Sequence, residues 1–298
     1  MDSTNVSLNG SESPDMGQAF EHSIKNIGIP PCPAILMLVI DETKKDEPDY
    51  NHLTTIISAD VAISAGLIKL ANSAYFGAGQ RARSVREALT ITGLRAASRA
   101  IASIALRNVF PFSQVMERFW DSSARIARLS GWLAQQLNFP GLTPEDAYTF
   151  GLFRDCGIPI LLNYSPVYPD ILLKANNDSK AIFTAVEDTS LQTNHAFIGS
   201  KLAQDWRLPA EIHLAIRRHH EIQMLEFEET RLPHILLSAR LIAIAQFSEH
   251  IVQRQLGLSM TQEWPKLGLA CLQILEISED NLEKLYDIAV PIAAANVE

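Results

Sequence analysis

Residues 150–157 read Phe-Gly-Leu-Phe-Arg-Asp-Cys-Gly, an apolar run that ends in an arginine, an aspartate, a cysteine and a glycine. Ahead of it, residues 143–146 (Thr-Pro-Glu-Asp) supply the cap, the first-turn proline and the acids that begin a helix. Asp155 would then lie at the C-terminal end of this helix, where the helix dipole disfavours a carboxylate that has no partner. We therefore expect Asp155 to meet a compensating group inside a helical protein.

The chain on both sides of this segment has helical periodicity and no convincing alternation of apolar and polar residues. Ser84 begins one predicted helix that Gly93 ends, and a second runs from Leu94 to Val109. Further helices are predicted at about 166–176, 179–188, 194–206, 209–220, 231–254, 263–275 and 279–294. The predicted fold class is all-α.

Two of the predicted helices carry histidines at informative positions. His195 begins a helix with an inward apolar stripe, and His219 ends the apolar stripe of the helix that follows. His220 lies about 100° further around that helix. Neutral imidazoles and a carboxylate suit zinc, manganese or iron, so the candidate metal ligands are Asp155, His195, His219 and His220. The alternative is that these histidines are core residues with ordinary hydrogen bonds.

Composition limits the function classes. The net charge of −9 argues against general binding of nucleic acid, which needs a basic surface. The three cysteines form no C-x-x-C pair, and no signal peptide precedes the predicted helices, so we expect a protein of the reducing cytoplasm. The apolar stretch 234–247 is short and contains Arg240, which favours a core helix over a membrane span. Phosphate-binding loops and hydrolase motifs are absent from the sequence.

The segment from Arg81 to Arg107 contains six arginines and one glutamate, a local charge of +5. Together with the preceding Asn-Ser pair, it is a candidate surface for a phosphate-bearing ligand or an acidic partner. The candidate residues are Asn72, Ser73, Arg81, Arg83, Arg86, Arg95 and Arg99. The sequence favours simpler alternatives. The arginines would form a solvated basic face, and the Asn-Ser pair would form hydrogen bonds that end a helix.

Four stretches together resemble the HDOD (HD-related output domain) family. They are residues 68–77 (Ile-Lys-Leu-Ala-Asn-Ser-Ala-Tyr-Phe-Gly), the proline-rich segment 30–33, residues 84–88 (Ser-Val-Arg-Glu-Ala) and the opening segment 150–157. The segments around His195 and His219 are similar to later motifs of the same family. The resemblance extends over about residues 22–225.

The resemblance implies an HD-like helical domain, similar in fold to HD phosphohydrolases, preceded by an N-terminal helical subdomain. Residues 1–17 are rich in Ser, Asn, Asp and Gly, and this composition predicts a disordered tail. Residues 18–110 would be the N-terminal helical part and 111–228 the HD-like part. Residues 229–298 would be helices that pack on the domain or mediate dimerisation. At three positions where catalytic relatives have metal ligands, this chain has Ser122, Arg154 and Gln246, so only a remnant metal site is expected.

The function expected from this resemblance is a non-catalytic bacterial signalling module. It would act through contacts with signalling proteins in trans, with a homodimer as one arrangement and no membrane or nucleic-acid partner. No cofactor is expected, and a divalent metal is left open. Two alternatives stay open: a metal-dependent phosphohydrolase with an altered ligand set, and a nucleotide second-messenger binder that uses the basic segment.

Overall fold

The computed structural model describes residues 27–72, 81–110, 113–226, 232–257 and 260–294, and every regular element within these ranges is helical. This confirms the all-α fold class. The predicted tail at 1–17 and the candidate Ser73 lie outside the described residues. The N-terminal helices are α1 (Ala34–Glu42), α2 (Tyr50–Ser58), α3 (Val61–Ala71) and α4 (Val85–Val109).

The remaining helices carry the candidate metal ligands or surround them. They are α5 (Gln114–Leu137), α6 (Pro144–Phe153), α7 (Gly157–Tyr164), α8 (Tyr168–Asn177), α9 (Phe183–Leu191), α10 (His195–Asp205), α11 (Ala210–Arg218), α12 (Pro233–Leu256), α13 (Glu263–Ile274) and α14 (Glu279–Ala294). A 3₁₀ turn, Ile222–Leu225, follows α11.

The predicted break at Gly93 is confirmed. Helix α4 changes direction there, since Gly93 has φ 74° and ψ 163°, a conformation that residues with a Cβ rarely adopt. Helix α9 begins later than the sequence pattern predicts. The Asp178 carboxylate accepts hydrogen bonds from the backbone of Lys180 and Ala181, both at 2.8 Å, and this turn delays the helix to Phe183.

Helix α12 is the central helix of the second half and packs against α5, α6, α11, α13 and α14. Ile244, Phe247 and Ile251 on it are fully buried. Its length and apolar composition would suffice to span a membrane, but 72% of its apolar window is buried inside the protein, as expected of a core helix. The C-terminal residues thus supply a core element of the domain.

Two contacts join the N-terminal helices to the rest. The Arg99 Nε atom lies 2.9 Å from an Asp146 carboxylate oxygen, which links α4 to the first turn of α6. The Trp206 indole N–H donates to the carbonyl of Pro30 at 3.1 Å, so the proline-rich segment is held against the end of α10. These contacts place the first half of the chain against the helices that carry the histidines.

Helices α7 and α10 approach each other closely at Gly157. A Cβ placed on Gly157 would lie 2.0 Å from the carbonyl oxygen of His195, and one on Gly199 would lie 3.2 Å from the backbone nitrogen of Gly157. A side chain at residue 157 would therefore push the two backbones apart. This contact sets the separation between Asp155 and His195.

We predict that Gly157→Ala destabilises the protein by about 2–4 kcal/mol, because the clash is with backbone that no side-chain rotation can relieve. Denaturant unfolding of the metal-free chain measures this. Gly131→Ala is the control, since Gly131 is inside α5 and its Cβ would come no closer than 3.3 Å to other atoms. The control should change stability by no more than about 1 kcal/mol. Equal stability of both variants would contradict the close-approach argument.

Candidate metal centre

The four candidate ligands come from three places in the fold. Asp155 lies in the tight turn between α6 and α7, and His195 is the first residue of α10. The Asn194 side chain caps α10 by accepting from the backbone N–H of Phe197 at 2.8 Å, which fixes where His195 enters the core. Helix α11 ends at Arg218, and the two remaining histidines follow it directly.

These four side chains converge. One ligand atom from each of Asp155, His195, His219 and His220 lies within 4.8 Å of those of the other three. The Nε2 atom of His195 is 3.3 Å from that of His219 and 3.1 Å from that of His220. The Asp155 Oδ1 atom is 3.3 Å from His219 Nε2 and 3.6 Å from His195 Nε2.

The other ring nitrogen of each histidine has an acceptor of its own. His195 Nδ1 lies 2.7 Å from a carboxylate oxygen of Glu187, and His220 Nδ1 lies 2.6 Å from one of Glu263. His219 Nδ1 lies 2.8 Å from the carbonyl oxygen of residue 216. Because carboxylates and carbonyls only accept, each Nδ1 carries the proton, and the Nε2 lone pairs face one another and Asp155. When the three rings are neutral, four acceptors therefore share one small space.

An aromatic wall holds two of the rings. The Phe183 ring stacks on His220 with centroids 4.5 Å apart and meets His195 edge-on at 5.3 Å. All three histidines are at least nine-tenths buried. The ring orientations are thus fixed by packing as well as by hydrogen bonds.

Arg154 turns its side chain to the opposite side of Asp155. Its Nε atom is 3.0 Å from Asp155 Oδ2, and its Nη2 atom donates to Glu249 of α12. The second oxygen of Glu249 accepts from the side-chain amide of Gln246 at 2.9 Å. The guanidinium therefore does not lie among the imidazoles. It joins two buried carboxylates beside them.

Burial and neighbouring charges shift the pKa values of the cluster in different directions. Burial opposes ionisation of Asp155, but the Arg154 guanidinium and the rings of His219 and His195 outweigh it, so the pKa of this carboxyl is lowered. Burial lowers the pKa of His195, yet the Glu187 carboxylate more than offsets it and the net shift is upward. Asp155 is therefore an anion, ready to bind a cation.

The opposite holds for His220. Burial, together with the neighbouring rings of His219 and His195, places the pKa of His220 well below its usual value. His220 is therefore a neutral ring, the form in which a histidine can bind a metal ion.

A family model described as the HDOD domain matches residues 29–222. The chain belongs to the HDOD domain family. It is 29% identical over 198 residues to an uncharacterized protein of Treponema pallidum (strain Nichols), covering 65% of this chain and 38% of that protein. The chain therefore spans well under half the length of that relative.

Solved structures show the same architecture. A candidate phosphohydrolase from Shewanella amazonensis SB2B superposes with a TM-score of 0.62 at 19% identity, covering 91% of this chain and 96% of that one. An HDOD domain protein with unknown function from Geobacter sulfurreducens gives a TM-score of 0.58 at 19% identity, with coverages of 93% and 97%. At these identities the similarity shows the HD-like fold alone.

Among the described residues, the candidates of the N-terminal part of the HDOD domain do not join this cluster, and none of them lines the cavity beside it. Asn72 uses its side-chain carbonyl and amide on the backbone of Ala82, at 2.7 and 2.8 Å, and so closes the base of a loop. Arg99 is engaged with Asp146, and Arg86 donates to Asn51. Arg81, Arg83 and Arg95 are exposed, as are Asn72 and Arg86.

Sequence reasoning missed three buried acids that organise the site: Glu187, Glu249 and Glu263. Each lies on a helix with apolar residues around it, and such an acid needs a partner when buried. This was the available signal. The partners themselves are far away in sequence, and two of the acids lie beyond residue 222, where the HDOD match ends.

Proposed function

We propose that this HDOD chain is a cytoplasmic signalling module that acts by contacts with other proteins in trans, and that its core binds one divalent transition-metal ion. The observation that carries the metal proposal is the convergence of three imidazole Nε2 atoms and one Asp155 oxygen, with every Nδ1 held by its own acceptor. The signalling role rests on the resemblance to the family.

The donor set fits a metal ion. Ligand atoms on a tetrahedral zinc ion, with bonds of about 2.0–2.1 Å, are about 3.3 Å apart. The separations of His195 Nε2 from His219 and His220, 3.3 and 3.1 Å, match that spacing. Metal-binding histidines in proteins usually donate their other N–H to a carboxylate or a carbonyl, as all three do here.

Two features support a structural rather than a catalytic ion. Four protein ligands complete a tetrahedral site, whereas catalytic zinc sites leave one position open. The second oxygen of Asp155 already faces the Arg154 guanidinium, so this carboxylate has no free edge for another ion. When bound, the ion would supply two positive charges that tie together α10, the end of α11 and the turn at Asp155.

Metal analysis of the purified full chain tests this proposal. We expect about one zinc, manganese or iron ion per chain, after reconstitution if necessary, and its loss in His219→Ala. His52→Ala is the matched control, because His52 is exposed on α2 and should leave the metal content unchanged. Absence of stoichiometric metal under all reconstitution conditions would overturn the metal site.

Hydrolysis assays on the metal-loaded chain test the proposal that the protein is not an enzyme. We expect no turnover of phosphomonoesters or phosphodiesters above that of His219→Ala. A hydrolysis rate that depends on both the metal and His219 would favour the phosphohydrolase alternative instead.

A further inference from the structure

Helix α13 begins at the metal cluster. Its first residue, Glu263, is 2% exposed, and its carboxylate accepts the Nδ1 proton of His220 at 2.6 Å. A carboxylate is rarely buried in this way unless it has partners. The family match ends at residue 222, so this hydrogen bond connects the cluster to a helix that lies outside the matched segment.

A largely buried ammonium group extends this contact to a third element. The Lys266 side chain lies one helical turn beyond Glu263 and pairs with the second oxygen of its carboxylate. The same ammonium group donates to the backbone carbonyls of Ala181 and Asp178, at 2.9 and 3.3 Å. These two residues belong to the turn between α8 and α9, and Phe183, the aromatic wall of the cluster, begins α9. The start of α13 is thus joined to the turn that precedes this wall.

The first turn of α13 has little local support of its own. The residue at its N-cap position, Gln262, makes no side-chain capping hydrogen bond within the described part of the chain. The backbone N–H of Gln262 donates to the carbonyl of Asn176 in α8 at 3.0 Å, and that of Glu263 reaches the Thr261 hydroxyl only at 3.4 Å. The contacts of the Glu263 and Lys266 side chains therefore matter for holding this turn in place.

A metal ion on the opposite nitrogen of the His220 ring would strengthen the contact with Glu263. The ring takes on part of the positive charge of an ion bound to Nε2, and the buried carboxylate at Nδ1 then attracts it more strongly. Coupling of this kind is reciprocal in free energy. The carboxylate at the start of α13 therefore raises the metal affinity by the same factor by which the metal strengthens the contact.

We infer that Glu263 is a positioning residue for His220, and that filling the metal site orders the start of α13 together with the turn between α8 and α9. The inference rests on the metal site proposed above. One face of α13, formed by Pro265, Leu269 and Gln273, is exposed, so this ordering changes the protein surface as well as the core. A signalling module built in this way responds to its metal at a surface that other proteins can contact.

Hydrogen exchange of the full chain, read by mass spectrometry, tests the inference in zinc-loaded and chelator-treated samples of measured zinc content. We expect zinc to slow exchange about 5–150-fold, the usual range for coupled sites, at residues 264–270 and 178–184. Helix α2 is the internal control, because it packs against α1, α3 and α4, and general stabilisation by a ligand would slow its exchange as well.

The outcomes separate this inference from the metal proposal. Slowing at residues 264–270 that clearly exceeds the slowing in α2 supports the coupling. Equal slowing in both, or stoichiometric zinc with unchanged exchange at 264–270, would overturn the coupling and leave the metal site intact. Protein that binds no zinc would overturn both.

Glu263→Gln separates positioning from packing. The amide oxygen of glutamine can still accept the His220 proton, but the negative charge is lost. We expect zinc affinity to fall about 10–100-fold, as for other residues that hold a metal ligand, and the effect of zinc on exchange in α13 to be largely lost. Glu283→Gln is the matched control, because Glu283 is exposed on α14 and should change neither quantity. Unchanged zinc affinity and unchanged slowing in Glu263→Gln would overturn the inference.

Lys266→Met provides a second variant should Glu263→Gln fail to fold. It keeps the hydrogen bond between Glu263 and His220 but removes the donor to the carbonyls of the α8–α9 turn. We expect it to bind zinc while the zinc-dependent slowing at residues 178–184 is lost and that at 264–270 persists. Slowing at 178–184 equal to that of the unsubstituted chain would overturn the coupling of α13 to this turn.

Discussion

Arg154→Met is expected to destabilise the metal-free protein by about 3–5 kcal/mol, the usual cost of removing one partner from a buried ion pair. Arg154 is 5% exposed and joins Asp155 to Glu249, which is 4% exposed. Without the guanidinium, Glu249 keeps only the Gln246 amide as a partner. Chemical denaturation of the chelator-treated chain measures the change in the free energy of unfolding.

A second substitution separates the lost charge from the lost packing. In Arg154→Met with Glu249→Leu, both charges are replaced by apolar groups of similar volume, and such replacements are often neutral or stabilising. We therefore expect the double variant to recover at least about half of the loss. Lys201→Met is the surface control: its pair with Asp205 is 38% and 42% exposed, so it should cost less than about 1 kcal/mol. A double variant no more stable than Arg154→Met would show that packing, not pairing, accounts for the effect.

The parts of this structure that sequence could predict are local. The end of a helix at Gly93 follows from a glycine between two apolar periodic segments, and α4 indeed breaks there. The position of Asp155 at a helix C-terminus predicts that it has a partner, and Arg154 is only one residue away. Such features depend on backbone propensity and on neighbours in sequence, which a single chain displays directly.

Other parts required the packed structure. Arg99 was a candidate for a ligand surface, but its partner Asp146 is 47 residues away on another helix. Glu249 is 95 residues from the arginine that it neutralises. Gln246 donates to Glu249, whereas Ser122 lines the cavity that Asp155 and His220 also line. These partners are visible only in the tertiary structure.

The same arrangement suggests how the site is held. The Nε2 atoms face one another because three acceptors behind the rings draw the Nδ1 protons outward. A cation among these atoms, whether a metal ion or a proton on His195, lowers their mutual repulsion. The close approach at Gly157 and the Phe183 ring fix the surrounding packing. The buried acids behind the rings therefore decide whether the site persists.

Glu187→Leu tests that conclusion, and we expect it to lower both the stability of the protein and its metal affinity. Glu187 is fully buried and accepts from the ring and the backbone nitrogen of His195, at 2.7 and 3.3 Å, and from the Tyr168 hydroxyl. Its removal leaves three buried donors without a partner, each costing about 1–3 kcal/mol before relaxation. We expect a loss of stability of about 3–5 kcal/mol, measured by denaturant unfolding, and a metal affinity reduced about 10–100-fold.

Tyr168→Phe is the matched control for this prediction. It removes the donor on the other oxygen of Glu187 and leaves the contact with His195 intact. We expect it to cost stability with little change in metal affinity, because the carboxylate still holds the ring. Competition with a metal-binding dye measures the affinity of each variant. If both variants lost affinity equally, Glu187 would act through the packing of α8 and α9. If only Glu187→Leu lost metal affinity, the result would show that the Glu187 carboxylate orients the His195 ring towards the ion.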